Sequence, residues 1–245
     1  MCFPCDFLLN IQIPPVLIRP NGLLYNKDCL HVLNKIPSNS IDLILTDPPY
    51  GIGFKGLNGN TIKNDSKAEI LPIFNSFTKE AKRILKPGRC CCVFCFSGGK
   101  ESIFTSWIAI MQKNLEYKST VVWDKGIIGL GTHYRHGYDF ILVAKKKGGK
   151  CIWNGGNRVS NIIHMEKDKP QKGDHPTPKP IRLLEHFINL HSNKDEIILD
   201  PFAGGGSVLH AVINLKRKFI GIEIEKKYCN KFIKDITKQT ETPTN

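Results

Sequence analysis

Ile197-Ile198-Leu199-Asp200-Pro201-Phe202-Ala203-Gly204-Gly205-Gly206-Ser207 reads as a short apolar strand, a glycine-rich turn and the opening of a helix. Three successive glycines let the backbone approach a ligand that ordinary side chains would hold off. Gly204 and Gly206 fit the first two glycines of the dinucleotide fingerprint, but Leu209 stands where the third belongs. That departure, and the lack of any hydride site, argues against a nicotinamide dehydrogenase. Glu223 closes the next apolar run, Phe219–Glu223, seventeen residues beyond Gly206. An acidic strand end at this distance binds ribose hydroxyls in nucleotide-binding α/β folds. Turn and carboxylate together point to an adenosine-containing cofactor.

A second strand end carries different chemistry. Ile41–Thr46 is an apolar run that stops at Asp47-Pro48-Pro49-Tyr50. Pro49 has no N–H and a fixed φ, so the chain leaves the sheet here and the Pro48 carbonyl is free to accept a hydrogen bond elsewhere. Asp47 offers a second acceptor, and Tyr50 a π face worth roughly 1–3 kcal/mol to a stacked base. Two acceptors beside an aromatic ring suit an exocyclic NH2 on a planar heterocycle. The bland alternative is a Pro-Pro turn that merely caps a strand.

Around these two turns, strands alternate with helices. Periodicity predicts strands at Leu23–Asn26, Ile41–Thr46, the cysteine-rich Cys90–Cys95, Tyr117–Trp123, Tyr138–Lys145, Glu196–Asp200 and Phe219–Glu223. Helices are expected at Cys29–Lys35, over the repeat Ile70 to Leu85, near Lys100–Gln112, at Ile181–His191, after Gly206 and from Lys226. Lys86-Pro87-Gly88 is expected to separate the second of these from the cysteine-rich strand. This alternation gives an α/β, doubly wound, mostly parallel sheet covered on both faces. Tyr117–Trp123 and Tyr138–Lys145 lack a helix between them and are expected to form an antiparallel edge hairpin. Met1 to Pro20 shows no anchoring pattern, and Lys146–Asp174 no periodicity.

With 35 basic and 22 acidic residues, the net charge of +13 favours a polyanionic partner, nucleic acid before all others. No run has the length of a membrane span, and no signal-peptide pattern opens the chain, so a cytoplasmic protein is expected. Nine cysteines, several in the apolar stretch Cys90-Cys91-Cys92-Val93-Phe94-Cys95, behave as small buried hydrophobes of a reducing compartment. Cys2/Cys5 and Cys92/Cys95 have the Cys-x-x-Cys spacing, but Cys92 and Cys95 fall on opposite faces of a strand and could share an ion only if the strand broke, so no metal is expected.

Three motifs in this order, Thr46-Asp47-Pro48-Pro49-Tyr50, His175-Pro176-Thr177-Pro178-Lys179-Pro180 and Asp200 to Ser207, resemble the signature of amino-group DNA methyltransferases of the permuted beta class, which use S-adenosylmethionine. The resemblance runs from about Leu23 to Ile236. It implies a Rossmann-like sheet of seven strands with circularly permuted motif order, in which Leu23–Asp28 supplies the strand that would otherwise follow Glu223. It implies that Asp28 and Cys29 meet the cofactor adenine and that Thr177 and Lys179 lie near its methionine end. A lysine there would neutralise the carboxylate. Asp28 also suits a helix N-cap. The candidate cofactor-binding residues are therefore Asp28, Cys29, Thr177, Lys179, Asp200, Phe202, Gly204, Gly206, Ser207 and Glu223; the candidate catalytic residues are Asp47, Pro48, Pro49 and Tyr50.

On this reading, 1–20 is an N-terminal extension, 21–145 the catalytic half, 146–174 a small target-recognition insert, 175–238 the cofactor-binding half and 239–245 a tail. Lys145 to Asp174 holds eight basic residues against three acidic, and Lys145, Lys146, Lys147, Lys150 and Arg158 are the candidate phosphate contacts, with a merely solvated surface as the alternative. The expected substrate is an adenine N6 amine in double-stranded DNA, and a restriction endonuclease is a candidate partner. N4-cytosine methylation is the nearest rival, since family members acting on cytosine more often carry serine in place of Asp47. An RNA substrate and a non-catalytic nucleic-acid-binding subunit are weaker ones.

Overall fold

The computed structural model describes residues 3–54, 61–96, 98, 102–127, 133–167 and 178–241, with side chains to 238 in the last span. In chain order the elements are α1 (Cys5–Ile11), β1 (Leu17–Arg19), β2 (Gly22–Asn26), α2 (Cys29–Leu33), β3 (Ile41–Thr46), α3 (Lys67–Ile84), β4 (Leu85–Cys95), α4 (Phe104–Asn114), β5 (Glu116–Asp124), β6 (Tyr138–Lys145), β7 (Ile162–His164), α5 (Ile181–His191), β8 (Ile197–Asp200), α6 (Ser207–Asn214), β9 (Lys218–Glu223) and α7 (Lys226–Glu241).

The strands form one nine-stranded sheet in the order β1-β2-β9-β8-β3-β4-β6-β5-β7. Neighbours from β2 to β4 run parallel, and β6 lies antiparallel between β4 and β5. Without the three-residue strands β1 and β7 this is the expected seven-stranded sheet. The β5–β6 pair forms as expected but is not the edge, because β7 adds to β5 in parallel. Permutation is visible in the register: Leu23 lies opposite Ile220 and Asn26 opposite Glu223, so the N-terminal strand completes the C-terminal half.

Strands in the middle of the sheet are buried on both faces, hence their nearly continuous apolar sequences. On one face Leu23, Val93 and Cys95 meet Phe7, Leu33, Phe74 and Trp107 from α1 to α4. On the other, Leu24, Leu43 and Cys92 meet Leu183, Phe187, Val212 and Phe232 from α5 to α7. Cys92 and Cys95 thus point to opposite layers, as a period of two requires.

Four local departures from the expected elements stand out, two of them with plain causes. α3 starts at Lys67, ahead of its first buried residue Ile70, because Ser66 and Glu69 form a reciprocal capping box. Lys86-Pro87-Gly88 lies within β4 and not before it; the register jumps from Ile41↔Leu85 to Leu43↔Cys90, a bulge that absorbs a proline unable to join the ladder. The α4 helix starts at Phe104, later than the expected Lys100. The N-terminal segment is anchored, contrary to expectation: Phe7 and Ile11 are fully buried in the core, and β1 pairs antiparallel with β2.

The missing third glycine of the fingerprint is also explained. A Cβ on Gly221 of β9 would stand 2.6 Å from Leu209 Cδ1. Close helix–strand packing is thus achieved with the glycine on the strand and the large residue on the helix, the reverse of the dinucleotide arrangement. Gly206, at φ +87°, faces Phe232 of α7, whose Cδ2 would lie 2.4 Å from a Cβ there. Its role is to let α7 approach the turn, and it does not line the cleft described next.

Candidate active site

β8 and β3 are adjacent parallel strands from which the chain departs to opposite sides, β8 towards β9 and β3 towards β4. Such a switch point opens a crevice at the carboxyl ends of the strands. Here it is a cleft of about 550 Å³, lined on one side by Asp47 to Tyr50 and on the other by Asp200 to Gly205, Ser207 and Glu223. The two motifs, far apart in sequence, are tied directly: the Thr46 hydroxyl donates to Asp200 Oδ1 at 2.7 Å.

Asp47 is held by two donors. The Tyr50 hydroxyl donates to Oδ1 at 2.5 Å, and the buried Lys179 ammonium donates to Oδ2. Lys179 Nζ also lies 5.4 Å from the Tyr50 ring centroid and 5.3 Å from that of Phe94, within cation–π range. Burial and the neighbouring Asp47 carboxylate push the Tyr50 phenol well above its usual range, so it stays a donor. Its ring stacks on Phe96 at 5.8 Å and 16° and tilts against Trp107 at 6.4 Å. The open π face expected from the sequence is in fact part of a two-ring stack.

The backbone after Tyr50 is fixed by a residue that sequence reasoning missed. Buried Asp65 accepts from Gly51 N (2.8 Å) and Phe54 N (2.6 Å), while its carbonyl accepts from Gly53 N (2.7 Å). The turn is thereby clamped to the start of α3. An Asp one residue before a capping serine was the available signal.

On the cofactor side, Glu223 accepts from Gly204 N and from Glu225 N, both at 2.7 Å. Burial raises its carboxyl above the ordinary range against these bonds. Asp200 is more deeply buried, and desolvation lifts it to about 7, opposed by its bonds from Thr46 and Phe202 N and reinforced by the Asp47 and Glu223 charges. Asp28 is the N-cap of α2, accepting from Leu30 N at 2.9 Å, and it lines the cleft as well. Cys29 lines the cleft beside it; burial and the Asp28 charge push its thiol to about 12. Phe202 packs its ring edge-on to Phe77 at 5.9 Å. Thr177 lies outside the described residues.

The candidate phosphate contacts are not brought to this cleft. Lys145 pairs with Cys90 across β6 and β4, whereas the cleft begins beyond Cys95, about 16 Å away along the strand. Lys145 binds Glu116 (3.4 Å) and the Gly149 carbonyl, and Lys146 binds Asn39 and the Arg83 carbonyl. Lys147 and Lys150 are exposed at that far end, and Arg158 is exposed on the segment leading up to β7. The β6 strand runs antiparallel to its neighbours, so a chain leaving its C-terminus emerges at the wrong end of the sheet. Other lysines line the cleft instead, Lys27, Lys63, Lys125, Lys167 and Lys179; of these Lys125 is buried and paired with buried Asp139 at 3.2 Å, and Lys167 is exposed.

The fit to an adenosine cofactor holds on this geometry. A carboxylate offers about four acceptor positions, and Glu223 uses one on each oxygen to brace the turn, leaving the others for hydroxyls. Among the described residues, no helix is long and apolar enough to cross a membrane.

Comparison with known proteins agrees with this geometry. The chain is 29% identical over 241 residues to the type II methyltransferase M2.MboI of Moraxella bovis, with 85% of each covered. It is 30% identical to the DNA adenine methyltransferase YhdJ of Escherichia coli, over 82% of this chain and 78% of that one. The solved M1.HpyAVI–SAM complex superposes with a TM-score of 0.67 at 27% identity, covering 87% of this chain and 99% of that one. S-adenosylmethionine is the cofactor. The DNA methylase profile for N6 and N4 amino-methyltransferases matches residues 41–234, and the chain belongs to that family.

Proposed function

We propose that this chain methylates the N6 amine of a specific adenine in double-stranded DNA, by direct transfer to a base flipped into the cleft. The observation that carries the proposal is the Thr46–Asp200 bond, which sets the Asp47 turn and the glycine turn side by side in one cleft. When bound, S-adenosylmethionine supplies an electrophilic methyl on a sulfonium. Glu223 would hold its ribose, Asp28 and Cys29 its adenine, and Phe202, Gly204 and Ser207 of the Asp200 turn its body, with Thr177 assigned by resemblance to its methionine end; Lys179, assigned there by the same resemblance, is bonded to Asp47 instead.

The remaining chemistry belongs to Asp47, Pro48 and Tyr50. Adenine N6 is a poor nucleophile because its lone pair is delocalised into the ring. The Asp47 carboxylate and the Pro48 carbonyl accept its two N–H bonds and favour a pyramidal nitrogen whose lone pair faces the methyl. Asp47 retains acceptor positions for this beyond those used by Tyr50 and Lys179. Positioning and electrostatics then suffice, without a covalent enzyme intermediate, and the nitrogen that gains the methyl sheds one proton along its hydrogen bond to the Asp47 carboxylate. An amine inside a duplex is out of reach of such a pocket, so the base must leave the stack, at a few kcal/mol. The Tyr50–Phe96 pair recovers part of that by stacking.

Asp47 in place of serine, and the adenine specificity printed in the name of YhdJ, favour adenine over cytosine. The type II methyltransferase named in one relative fits a restriction–modification system, so we infer a restriction endonuclease as partner, and we place the chain in the cytoplasm. Segment 146–174 remains the proposed recognition insert, with Lys167 as its phosphate contact at the cleft. Asp47→Ala tests the core of this reading. Methyl transfer should be lost while calorimetric cofactor affinity stays within about threefold. Retained turnover would remove Asp47 from the reaction.

A further inference from the structure

At the end of the sheet remote from the cleft, Cys90 Sγ and Cys151 Sγ lie 3.2 Å apart. A ring nitrogen of His191 completes a group whose three donor atoms all fall within 4.8 Å of one another. The three residues come from β4, the segment after β6 and the last position of α5. Neither Cys-x-x-Cys pair of the sequence takes part.

Cys90 and His191 are 2% and 5% exposed. Among the described residues, His191 Nδ1 is buried without a hydrogen-bond partner, an expensive state for a polar atom in a tightly packed interior. The ring is held in place by Trp153, at 5.4 Å between centroids, and by stacking on Phe187 at 6.5 Å and 15°. Asn154 stitches the cysteine-bearing segment to the end of α5: its N–H donates to the Leu190 carbonyl at 3.0 Å, and its side-chain amide to Asn189 O (2.9 Å) and Ser192 O (3.1 Å). The donors are therefore assembled by ordinary packing before any ligand arrives.

Two thiols and an imidazole, with no carboxylate, form a soft to borderline donor set that discriminates against magnesium and calcium and suits zinc. Three protein ligands leave the fourth tetrahedral position to water, beside Cys151, which is only partly buried. We propose that Cys90, Cys151 and His191 bind a zinc ion that fastens the segment after β6 to the sheet. Binding converts two thiols to thiolates and releases two protons; nothing is oxidised or reduced. Zinc–sulfur bonds of about 2.3 Å place two thiolates about 3.7 Å apart, so the sulfurs separate by about half an ångström on loading.

The test is metal content of the full chain, purified under reducing conditions from zinc-supplemented cells and desalted. About one zinc per chain is expected, falling below about 0.1 in Cys151→Ser and in His191→Gln. A second readout needs no variant: cobalt(II) added to the chelator-treated chain should give a thiolate-to-cobalt charge-transfer band that zinc abolishes. A zinc-free chain that develops no such band would overturn the proposal. So would zinc content unchanged in both variants, or a zinc-free chain lighter by the two hydrogens of a Cys90–Cys151 disulfide.

Discussion

Lys179 donates to the carboxylate of Asp47 from 132 residues further along the chain. Resemblance alone assigns this lysine to the methionine end of the cofactor. The geometry gives it a different first partner, the same carboxylate that is proposed to accept the substrate amine. In Lys179→Met the loss should therefore fall on turnover, by about a hundredfold, with cofactor affinity within about threefold. A tenfold weaker cofactor with turnover preserved would return Lys179 to the cofactor.

Glu223 has two tasks, and removing it should show both. Glu223→Ala deletes the acceptor for the Gly204 and Glu225 N–H groups as well as the proposed ribose contact. Urea unfolding should find the variant less stable by about 1–3 kcal/mol, and calorimetry should find weaker cofactor binding. Lower stability with unchanged affinity would leave Glu223 as a brace for the glycine turn only.

Asp200 makes stability fall with rising pH. The unfolded chain sheds this proton near pH 4, while the folded chain keeps it to about pH 7 because the site is buried. Between those values the native state binds the extra proton, so the Asp200 contribution becomes less favourable as pH rises and levels off above pH 7. In Asp200→Asn this contribution vanishes. The stability difference between variant and parent, measured by urea at pH 5 and pH 8, should shift in favour of the variant at pH 8. A difference independent of pH would mean that Asp200 ionises normally.

The basic residues divide by their place on the sheet. Lys167→Gln, at the cleft, should flatten the salt dependence of DNA binding by about 0.9 in log–log slope. Lys147→Gln with Lys150→Gln, at the far end of β6, should leave that slope unchanged. The opposite pattern would move the DNA path to the far end of the sheet.

The two turns that line the cleft were legible as strand ends because each combines an apolar run with residues that cannot continue a strand, and the position of Glu223 at the end of β9 was legible from the apolar run before it. Lys125, Asp139 and Phe96 were not, since nothing local distinguishes a cleft-lining residue at a strand end from any other strand residue. Their role arises only when β6 is set antiparallel between β4 and β5. The same strand reversal, which the sequence does not show, sets Lys145 to Lys150 at the end of β6 away from the cleft. α1 was missed because only two of its seven residues, Phe7 and Ile11, are buried, too short a repeat to stand out among prolines. Asp65 and the Cys90–Cys151–His191 group join residues whose proximity depends on tertiary packing.

The most direct measurement is nucleoside analysis of duplex DNA treated with the purified chain and S-adenosylmethionine. N6-methyladenine should appear, at one sequence context by long-read sequencing, and should be absent with Asp47→Ala. N4-methylcytosine as the product, or methyl groups entering RNA in preference to duplex DNA, would contradict the assignment of this cleft to adenine in DNA.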